Sequence, residues 1–196
     1  MKEASSNFKP HLIEGFVGPM FSGKTRDLLK RIDPLKYDPR KYSYIGIKPE
    51  IDKRNFNTRS AEDFIDWNYV ENSKGILELS KEYDLIAIDE IQFFDKGIVK
   101  IILELQKEGK NIIFAGLDRD FRGEKFGSMP ELMTITNKLE KLYATCNQCG
   151  EPAYYTQRLI DGEPASYKSD IILIEGSGKE TYEPRCFQHH LVSGKD

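Results

Sequence analysis

Five short apolar runs recur before residue 145 and set the pattern of the chain. Each is four to eight residues long and rich in Ile, Val, Tyr or Phe, a composition typical of β-strands. Several are almost continuously apolar, which indicates strands buried on both faces, as in a parallel sheet. The runs cover residues 11–17, 42–47, 85–88, 111–115 and 139–144.

Helical patterns lie between these runs. Residues 24–32 place Leu28, Leu29 and Ile32 on one face, and residues 97–106 repeat apolar side chains at spacings of three and four. Alternating strands and helices predict an α/β layered fold with right-handed crossovers between parallel strands.

The pattern changes near residue 144, where helical periodicity stops. Two strand-like pieces, residues 153–160 and 171–175, flank a polar stretch, and Cys and His pairs bracket the whole segment. We therefore predict a second, metal-organised unit. The predicted regions are a flexible N-terminus (1–10), a P-loop ATP-binding α/β domain (11–144) and a small zinc-binding domain (145–196).

Composition narrows the classes of function. With 31% charged residues and a net charge of -3, the chain is not a strongly basic nucleic-acid binder. It has no apolar run of 18 residues that would span a membrane. Residues 1–10 are polar and lack the apolar middle of a signal peptide. We therefore expect a cytoplasmic protein with neither nucleic acid nor membrane as a partner.

A phosphate-binding pattern, G-x-x-x-x-G-K-[ST], joins the first strand run to the first helix pattern. Its residues are Gly18, Pro19, Met20, Phe21, Ser22, Gly23, Lys24 and Thr25. The loop amides and the helix N-terminus would hold a phosphate. Lys24 would reach the β- and γ-phosphates of ATP, and the Thr25 hydroxyl would bind Mg²⁺. The alternative is an accidental glycine-rich turn, which the strand-to-helix context disfavours.

Two adjacent carboxylates, Asp89 and Glu90, end the apolar run 85–88. In an α/β sheet this strand end faces the same crevice as the phosphate loop. Asp89 is then placed to hold Mg²⁺, directly or through water. Glu90 could accept a proton from an attacking hydroxyl, or it could be a solvated charge at the end of the strand.

Three cysteines and the two C-terminal histidines suggest a structural zinc site. Cys146 and Cys149 form one C-x-x-C pair, and Cys186 and His189 form a second pair at the same spacing. Two such pairs are typical of four-coordinate Zn²⁺, which leaves no open position for catalysis. His190 is the competing fourth ligand, although the two-residue spacing favours His189.

These motifs together resemble the zinc-containing thymidine kinases, which include the human cytosolic enzyme and its bacterial relatives. They occur in the family's order and span about residues 12–190. The matching stretches are residues 18–25, Lys48-Pro49-x-x-Asp52-x-Arg54, Asp89-Glu90-x-Gln92-Phe93-Phe94, Ala115-Gly116-Leu117-Asp118-x-x-Phe121, Phe126-Gly127, Cys146-x-x-Cys149-Gly150, Thr156-Gln157-Arg158 and Tyr182-x-x-x-Cys186.

The resemblance implies a RecA-like P-loop core and a zinc-bound lasso hairpin that closes over a nucleoside. It implies transfer of the γ-phosphate of ATP to the 5′-hydroxyl of thymidine. It also implies a homotetramer and feedback inhibition by thymidine triphosphate (dTTP).

The same resemblance implies roles for individual residues. Glu90 matches the catalytic base, and Arg54, which by itself could be a solvated loop residue, matches an arginine at the reacting phosphate. The stretch beside the triphosphate and metal comprises Asp89, Glu90, Ile91 and Gln92. The nucleoside positions are Met20, Phe121, Thr156 and Tyr182, with the lasso residues Ile172, Leu173, Ile174, Glu175 and Gly176 reading the thymine edge through their backbone.

Two departures from the family pattern bear on these assignments. The second metal pair is Cys-x-x-His where Cys-x-x-Cys is commoner, a change that zinc tolerates. The run 176–182 is one residue longer than the family pattern, which leaves two lasso registers, one position apart.

Two rival functions compete with a nucleoside kinase. A nucleic-acid-dependent ATPase would carry a basic, aromatic-studded groove, and no Lys/Arg cluster lies beside Cys146. A nucleotide-sensing module would not need both Asp89 and Glu90 beside the phosphate loop. The intact pair favours an enzyme.

Overall fold

A computed structural model describes residues 11–39, 41–54, 65–172 and 179–195, without the side chains of residues 53 and 54. Four expectations lie outside this description. They are the flexible N-terminus (1–10), the side chain of Arg54, the lasso residues Leu173, Ile174, Glu175 and Gly176, and most of the strand-like piece 171–175.

A six-stranded parallel sheet forms the centre of the described fold. Its strands in chain order are β1 (Ile13–Val17), β2 (Tyr44–Pro49), β3 (Trp67–Val70), β4 (Leu85–Ile88), β5 (Asn111–Gly116) and β6 (Lys138–Lys141). Their order across the sheet is β3-β2-β4-β5-β1-β6, and every neighbouring pair is parallel. This arrangement confirms the predicted α/β class.

Helices cover both faces of this sheet. Those in the described residues are α1 (Lys24–Ile32), α2 (Ser73–Ser80), α3 (Ile98–Lys107) and α4 (Met129–Ile135). One face packs on α1 through Leu28, Leu29 and Ile32, and the other packs on α2, α3 and α4. Side chains of a strand alternate between the two faces of the sheet, and helices cover both faces, so the central strands are buried on both sides. Several of their runs are therefore almost continuously apolar, as predicted, although β1 includes the buried Glu14.

The described residues after position 143 form two small antiparallel sheets. Their strands are β7 (Ala144–Thr145), β8 (Pro152–Ala153), β9 (Tyr155–Ile160), β10 (Glu163–Pro164) and β11 (Glu180–Arg185). β7 pairs with β8, and β9 lies between β10 and β11. No helix in the described residues is long and apolar enough to cross a membrane.

Several elements differ from the sequence-based prediction. The single run 139–144 is two strands, β6 and β7, which belong to different sheets. The run 153–160 is likewise divided between β8 and β9. β3, α2, α4 and β11 were not predicted. β3 is an edge strand with two exposed residues among its four, so it lacks an apolar run, and α2 and α4 are too short for a clear helical period.

Candidate active site

The phosphate loop passes from the end of β1 into the first turn of α1. Gly18 lies where the chain crosses the connection that follows β6, and a Cβ atom there would be 2.5 Å from the carbonyl oxygen of Leu142. Any other residue would push these two backbones apart, so the close approach requires glycine. The loop therefore presents its amides and the α1 N-terminus at the carboxyl edge of the sheet, as anion binding requires.

Lys24 folds back into this loop. Its Nζ donates to the carbonyl of Pro19 at 2.7 Å, which also accepts from the Ser22 hydroxyl at 2.8 Å. Burial lowers the pKa of Lys24, and the nearby carboxylates of Glu90, Asp89 and Asp118 oppose that effect. The ammonium group thus lies among the acidic residues that the sequence placed at the end of β4.

Thr25 and Asp89 are brought together from elements far apart in sequence. The Thr25 hydroxyl lies 3.1 Å from each carboxylate oxygen of Asp89, and Asp89 is only 2% exposed. A hydroxyl and a carboxylate are the hard oxygen ligands that Mg²⁺ takes beside nucleotide phosphates. The donor set therefore fits the predicted magnesium.

Lys48 is a member of this cluster to which the sequence analysis gave no role. It lies on β2, and its Nζ is 3.2 Å from Asp89 Oδ2 and 3.3 Å from Asp52 Oδ2. Burial lowers the pKa of Lys48, but the two carboxylates outweigh burial, so the pKa is raised. The only signal in the sequence was a lysine near the carboxyl end of a predicted strand.

Glu90 has an unusual backbone conformation. Its φ of 52° and ψ of 38° lie in the left-handed region, which is uncommon for a residue other than glycine and often marks a functional site. Burial and then repulsion from Asp89 outweigh the lowering effects of Lys24 and a hydrogen bond from Gln92, and together these influences raise the pKa of Glu90 to about 7. A carboxyl group with a pKa near neutrality can accept a proton under physiological conditions.

Ile91 and Gln92 follow Glu90 in a short 3₁₀ turn. The Ile91 side chain is fully buried in the sheet core, so only its backbone could face a nucleotide. The Gln92 side chain is 3% exposed, and its amide nitrogen donates to Glu90 Oε2 at 2.6 Å. The structure thus places the Gln92 side chain against Glu90.

The predicted nucleoside residues lie where strands β9 and β11 approach the phosphate loop. The backbone N–H of Met20 donates to the Thr156 hydroxyl of β9 at 3.0 Å. Tyr182 on β11 lies opposite Arg158 on β9 and, with Phe21 of the loop, lines a cavity of about 330 Å³. Ile172, the last described lasso residue before the gap, is exposed.

Arg158 connects the predicted nucleoside residues, although the sequence analysis quoted it only within a motif. Its side chain is fully buried, and its guanidinium carbon lies 3.9 Å from the centre of the Phe121 ring. Nη1 donates to the carbonyl of Asp170 at 2.8 Å. Nε and Nη2 have no acceptor among the described residues. The signals for it in the sequence were its place in a family motif and a charged residue inside a predicted strand.

A second cluster lies in the C-terminal unit and comprises Cys146, Cys149, Cys186 and His189. Their ligand atoms all lie within 4.8 Å of one another. The Cys149 and Cys186 sulfurs are 3.8 Å apart, close to the roughly 3.8 Å edge of a tetrahedron with Zn–S bonds of about 2.3 Å. The residues present therefore fit a zinc ion.

At Cys146 the surroundings favour the thiolate form that zinc requires, whereas the neighbouring thiols raise the pKa of Cys149. Burial opposes ionisation of Cys146, but backbone N–H groups of Cys186, Gln148 and Cys149, together with His189, outweigh it and lower the Cys146 pKa to about 5.

The choice between the two adjacent histidines follows from where their rings lie. His189 Nδ1 is 3.3 Å from the Cys186 sulfur and 3.7 Å from the Cys146 sulfur. His190 instead stacks on Tyr155, with ring centres 4.7 Å apart, and its Nε2 is 2.8 Å from the Phe121 carbonyl. His189 is therefore the residue that completes the cluster.

Several solved structures share a limited likeness with the chain. One is the Legionella pneumophila ATPase DotB, at 17% identity over 62% of this chain and 34% of that chain, with a TM-score of 0.41. Another is domain III of the Thermotoga maritima replication initiation protein DnaA, at 17% over 66% of this chain and 54% of that chain, with a TM-score of 0.41. A third is AMPPCP-bound DnaA from Aquifex aeolicus, at 17% over 70% and 41% respectively, with a TM-score of 0.42.

The chain thus spans between 34% and 54% of the length of these proteins. Such partial overlaps carry no conclusion about what this chain binds. The family comparison covers far more of it: the model described as thymidine kinase matches residues 11–190. With a phosphate loop, an acidic strand end and a Cys/His cluster all inside that match, the chain belongs to the thymidine kinase family.

Proposed function

We propose that this protein transfers the γ-phosphate of ATP to the 5′-hydroxyl of thymidine. The observation that carries the proposal is the convergence of Lys24, Thr25, Asp89 and Glu90 at one edge of the sheet, within a chain of the thymidine kinase family. The first three are the groups that P-loop enzymes use to hold Mg-ATP. Glu90 adds a carboxylate that could receive the proton of an alcohol.

The proposed transfer accounts for the bond that forms, the bond that breaks and the proton that is released. The 5′-oxygen of thymidine forms a bond to the γ-phosphorus, and the bond from that phosphorus to the β–γ bridging oxygen breaks. The hydroxyl proton passes to Glu90, and ADP departs with the electron pair of the broken bond. Lys24 and the loop amides offset charge on the phosphates, so catalysis is mainly positioning and electrostatic stabilisation.

The metal ions have separate proposed tasks. Thr25 and Asp89 would hold Mg²⁺, which would neutralise charge on the triphosphate. Cys146, Cys149, Cys186 and His189 would hold Zn²⁺, which would organise the strands around the cluster and take no part in the chemistry. Lys48 balances the charge of Asp89 from the side of β2.

The nucleoside would lie between the phosphate loop and the C-terminal hairpin. Phe121 and Tyr182 would contact it, and Met20 and Thr156, already hydrogen-bonded to each other, would line the base pocket. The lasso backbone at 172–176 would read the thymine edge, and Arg54 would act at the reacting phosphate. The family resemblance supports these roles, as it supports a homotetramer and inhibition by dTTP.

Selectivity among nucleosides tests this function. Deoxycytidine reverses the donor and acceptor pattern of thymine at positions 3 and 4 of the base, so it would leave buried groups unpaired. Each such group costs about 1–3 kcal/mol, so we expect kcat/KM for deoxycytidine to be lower than for thymidine by at least about tenfold. Phosphate transfer from ATP should be measured with all four deoxynucleosides.

The rival ATPase is tested in the same assay. ATP turnover that responds to single-stranded DNA but not to thymidine would contradict a nucleoside kinase. Comparable kcat/KM for thymidine and deoxycytidine would be compatible with a nucleoside kinase, but it would contradict the proposed recognition of the thymine edge by the lasso backbone.

A further inference from the structure

The Gln92 side chain links the ends of two neighbouring strands. Its Nε2 donates to Glu90 Oε2 at 2.6 Å, after β4. Its Oε1 accepts from the backbone N–H of Leu117 at 3.0 Å, directly after β5. Both ends of the amide are therefore occupied, and the side chain is only 3% exposed.

The orientation of this amide is determined by its partners. Leu117 N–H is a donor, so it must meet the amide oxygen, and the NH₂ group then has to face Glu90. Nothing in this arrangement allows the amide to flip without placing two donors against each other. The Glu90 carboxylate thus receives a directed hydrogen bond.

The backbone around Gln92 is adapted to its side chain. A Cβ atom at Gly116 would lie 2.7 Å from Gln92 Oε1 and 2.9 Å from the Ile91 Cγ2 atom. These distances are shorter than real Cβ contacts, so any larger residue at position 116 would displace the Gln92 amide or the Ile91 side chain. The chain therefore leaves just enough room for the amide to remain in place.

The charges around Glu90 do not by themselves fix the position of its carboxylate, so the hydrogen bond from Gln92 is needed. The carboxylates of Asp89 and Asp52 repel it, while Lys24 attracts it but is itself hydrogen-bonded to Pro19. The left-handed backbone also costs conformational energy at a non-glycine residue. A neutral donor at fixed distance orients one carboxylate oxygen without adding to these opposing charges.

We propose that Gln92 is a positioning residue that holds the Glu90 carboxylate toward the phosphate-acceptor hydroxyl, and that its side chain does not bind ATP. This inference rests on the proposed role of Glu90. It replaces the expectation, drawn from the family resemblance, that Gln92 contacts the nucleotide. Catalytic groups held by such surrounding hydrogen bonds lose activity when displaced by even a fraction of an ångström.

The test is Gln92→Met, which keeps the length of the side chain but removes both hydrogen bonds. We expect kcat for thymidine phosphorylation to fall about 10- to 100-fold, because a misplacement of about 1 Å can cost that much. KM for thymidine and the affinity for a fluorescent ATP analogue should stay within about twofold, because under this proposal the Gln92 side chain contacts neither thymidine nor ATP.

A double variant separates positioning from a general structural defect. If Gln92 acts through Glu90, then Glu90→Gln with Gln92→Met should be no slower than Glu90→Gln alone. Multiplied losses in the double variant, or an ATP affinity weakened by Gln92→Met, would overturn the inference and restore Gln92 to ATP binding.

Gly116→Ala provides a second route if Gln92→Met does not fold. Its added methyl group would displace the Gln92 amide, so the same loss of kcat and the same lack of further loss with Glu90→Gln are expected. The matched control is Gly75→Ala on α2, where a Cβ atom meets Val70 at 3.3 Å, away from the site, and kcat should stay near that of the unmodified protein.

The outcomes for the two proposals differ. An unmodified protein that does not phosphorylate thymidine contradicts the proposed function. An active protein that is slowed by Glu90→Gln but not by Gln92→Met or Gly116→Ala contradicts only the role of Gln92.

Discussion

Replacing Glu90 with glutamine is expected to lower kcat for thymidine phosphorylation by about 100-fold while leaving ATP affinity nearly unchanged. General-base assistance is typically worth about 10²–10⁴-fold. The lower end applies here because phosphoryl transfer has a loose transition state in which the proton leaves late. Glutamine keeps the size of the side chain and can still accept the Gln92 hydrogen bond, but it cannot take the proton. Steady-state kinetics and equilibrium ATP binding would measure both quantities.

Asp89→Asn is the matched control, because it replaces the neighbouring carboxylate with an amide, as Glu90→Gln does at position 90. Asp89 contacts Thr25 and Lys48, so its variant should raise the Mg²⁺ concentration needed for half-maximal activity. Glu90→Gln should leave that concentration almost unchanged. A folded Glu90→Gln protein with near-normal kcat would show that Glu90 is not the base.

His189→Ala is expected to release the zinc ion and unfold much of the chain after residue 143. Structural zinc sites contribute about 10–16 kcal/mol of binding free energy at pH 7, comparable to the about 5–15 kcal/mol stability of a whole domain. The small sheets around the cluster bury few apolar residues: Ala144, Cys146, Ala153 and Cys186. They therefore depend on the metal far more than the parallel sheet does.

Elemental analysis and hydrogen exchange would measure this effect. We expect zinc to fall well below one ion per chain, with fast exchange in β7–β11 and continued protection in β1, β4 and β5. Nucleoside phosphorylation should be lost with the hairpin, because Thr156 could no longer meet the Met20 amide. Nucleotide binding to the phosphate loop should persist.

His190→Ala is the control at the adjacent position. His190 lies against Tyr155 and the Phe121 carbonyl rather than in the cluster, so this variant should retain one zinc ion per chain. Zinc loss in His190→Ala but not in His189→Ala would contradict the ligand assignment. Stoichiometric zinc in both variants would show that the histidine is not needed as a ligand.

The sequence by itself determined the elements whose signal is local. Both faces of the central strands are buried, so β4 appears as a continuous apolar run and β1 and β5 as nearly continuous ones. The phosphate loop is recognisable because glycine, lysine and threonine must stand at set spacings to bind a phosphate and its metal. The two metal-ligand pairs are visible for the same reason. These patterns were sufficient to indicate the α/β fold and the family.

Other features are absent from local sequence because their cause is tertiary contact. β11 carries a proline and alternates few apolar residues, yet it is a strand because it pairs with β9 along six residues. Arg158 is buried because Phe121 and the Asp170 carbonyl surround it. The choice of His189 over His190 depends on which ring faces the sulfurs.

The active site shows most clearly which features local sequence determines and which depend on tertiary contacts. Sequence placed Asp89 and Glu90 at a strand end, but alternation along a strand would point them in opposite directions. The left-handed turn at Glu90 brings both carboxylates toward Lys24, and Gln92 meets an N–H that lies 25 residues away. The sequence determined which groups are available for chemistry, whereas the packing of β4 beside β5 decided which of them meet, because those contacts join residues that no local pattern connects.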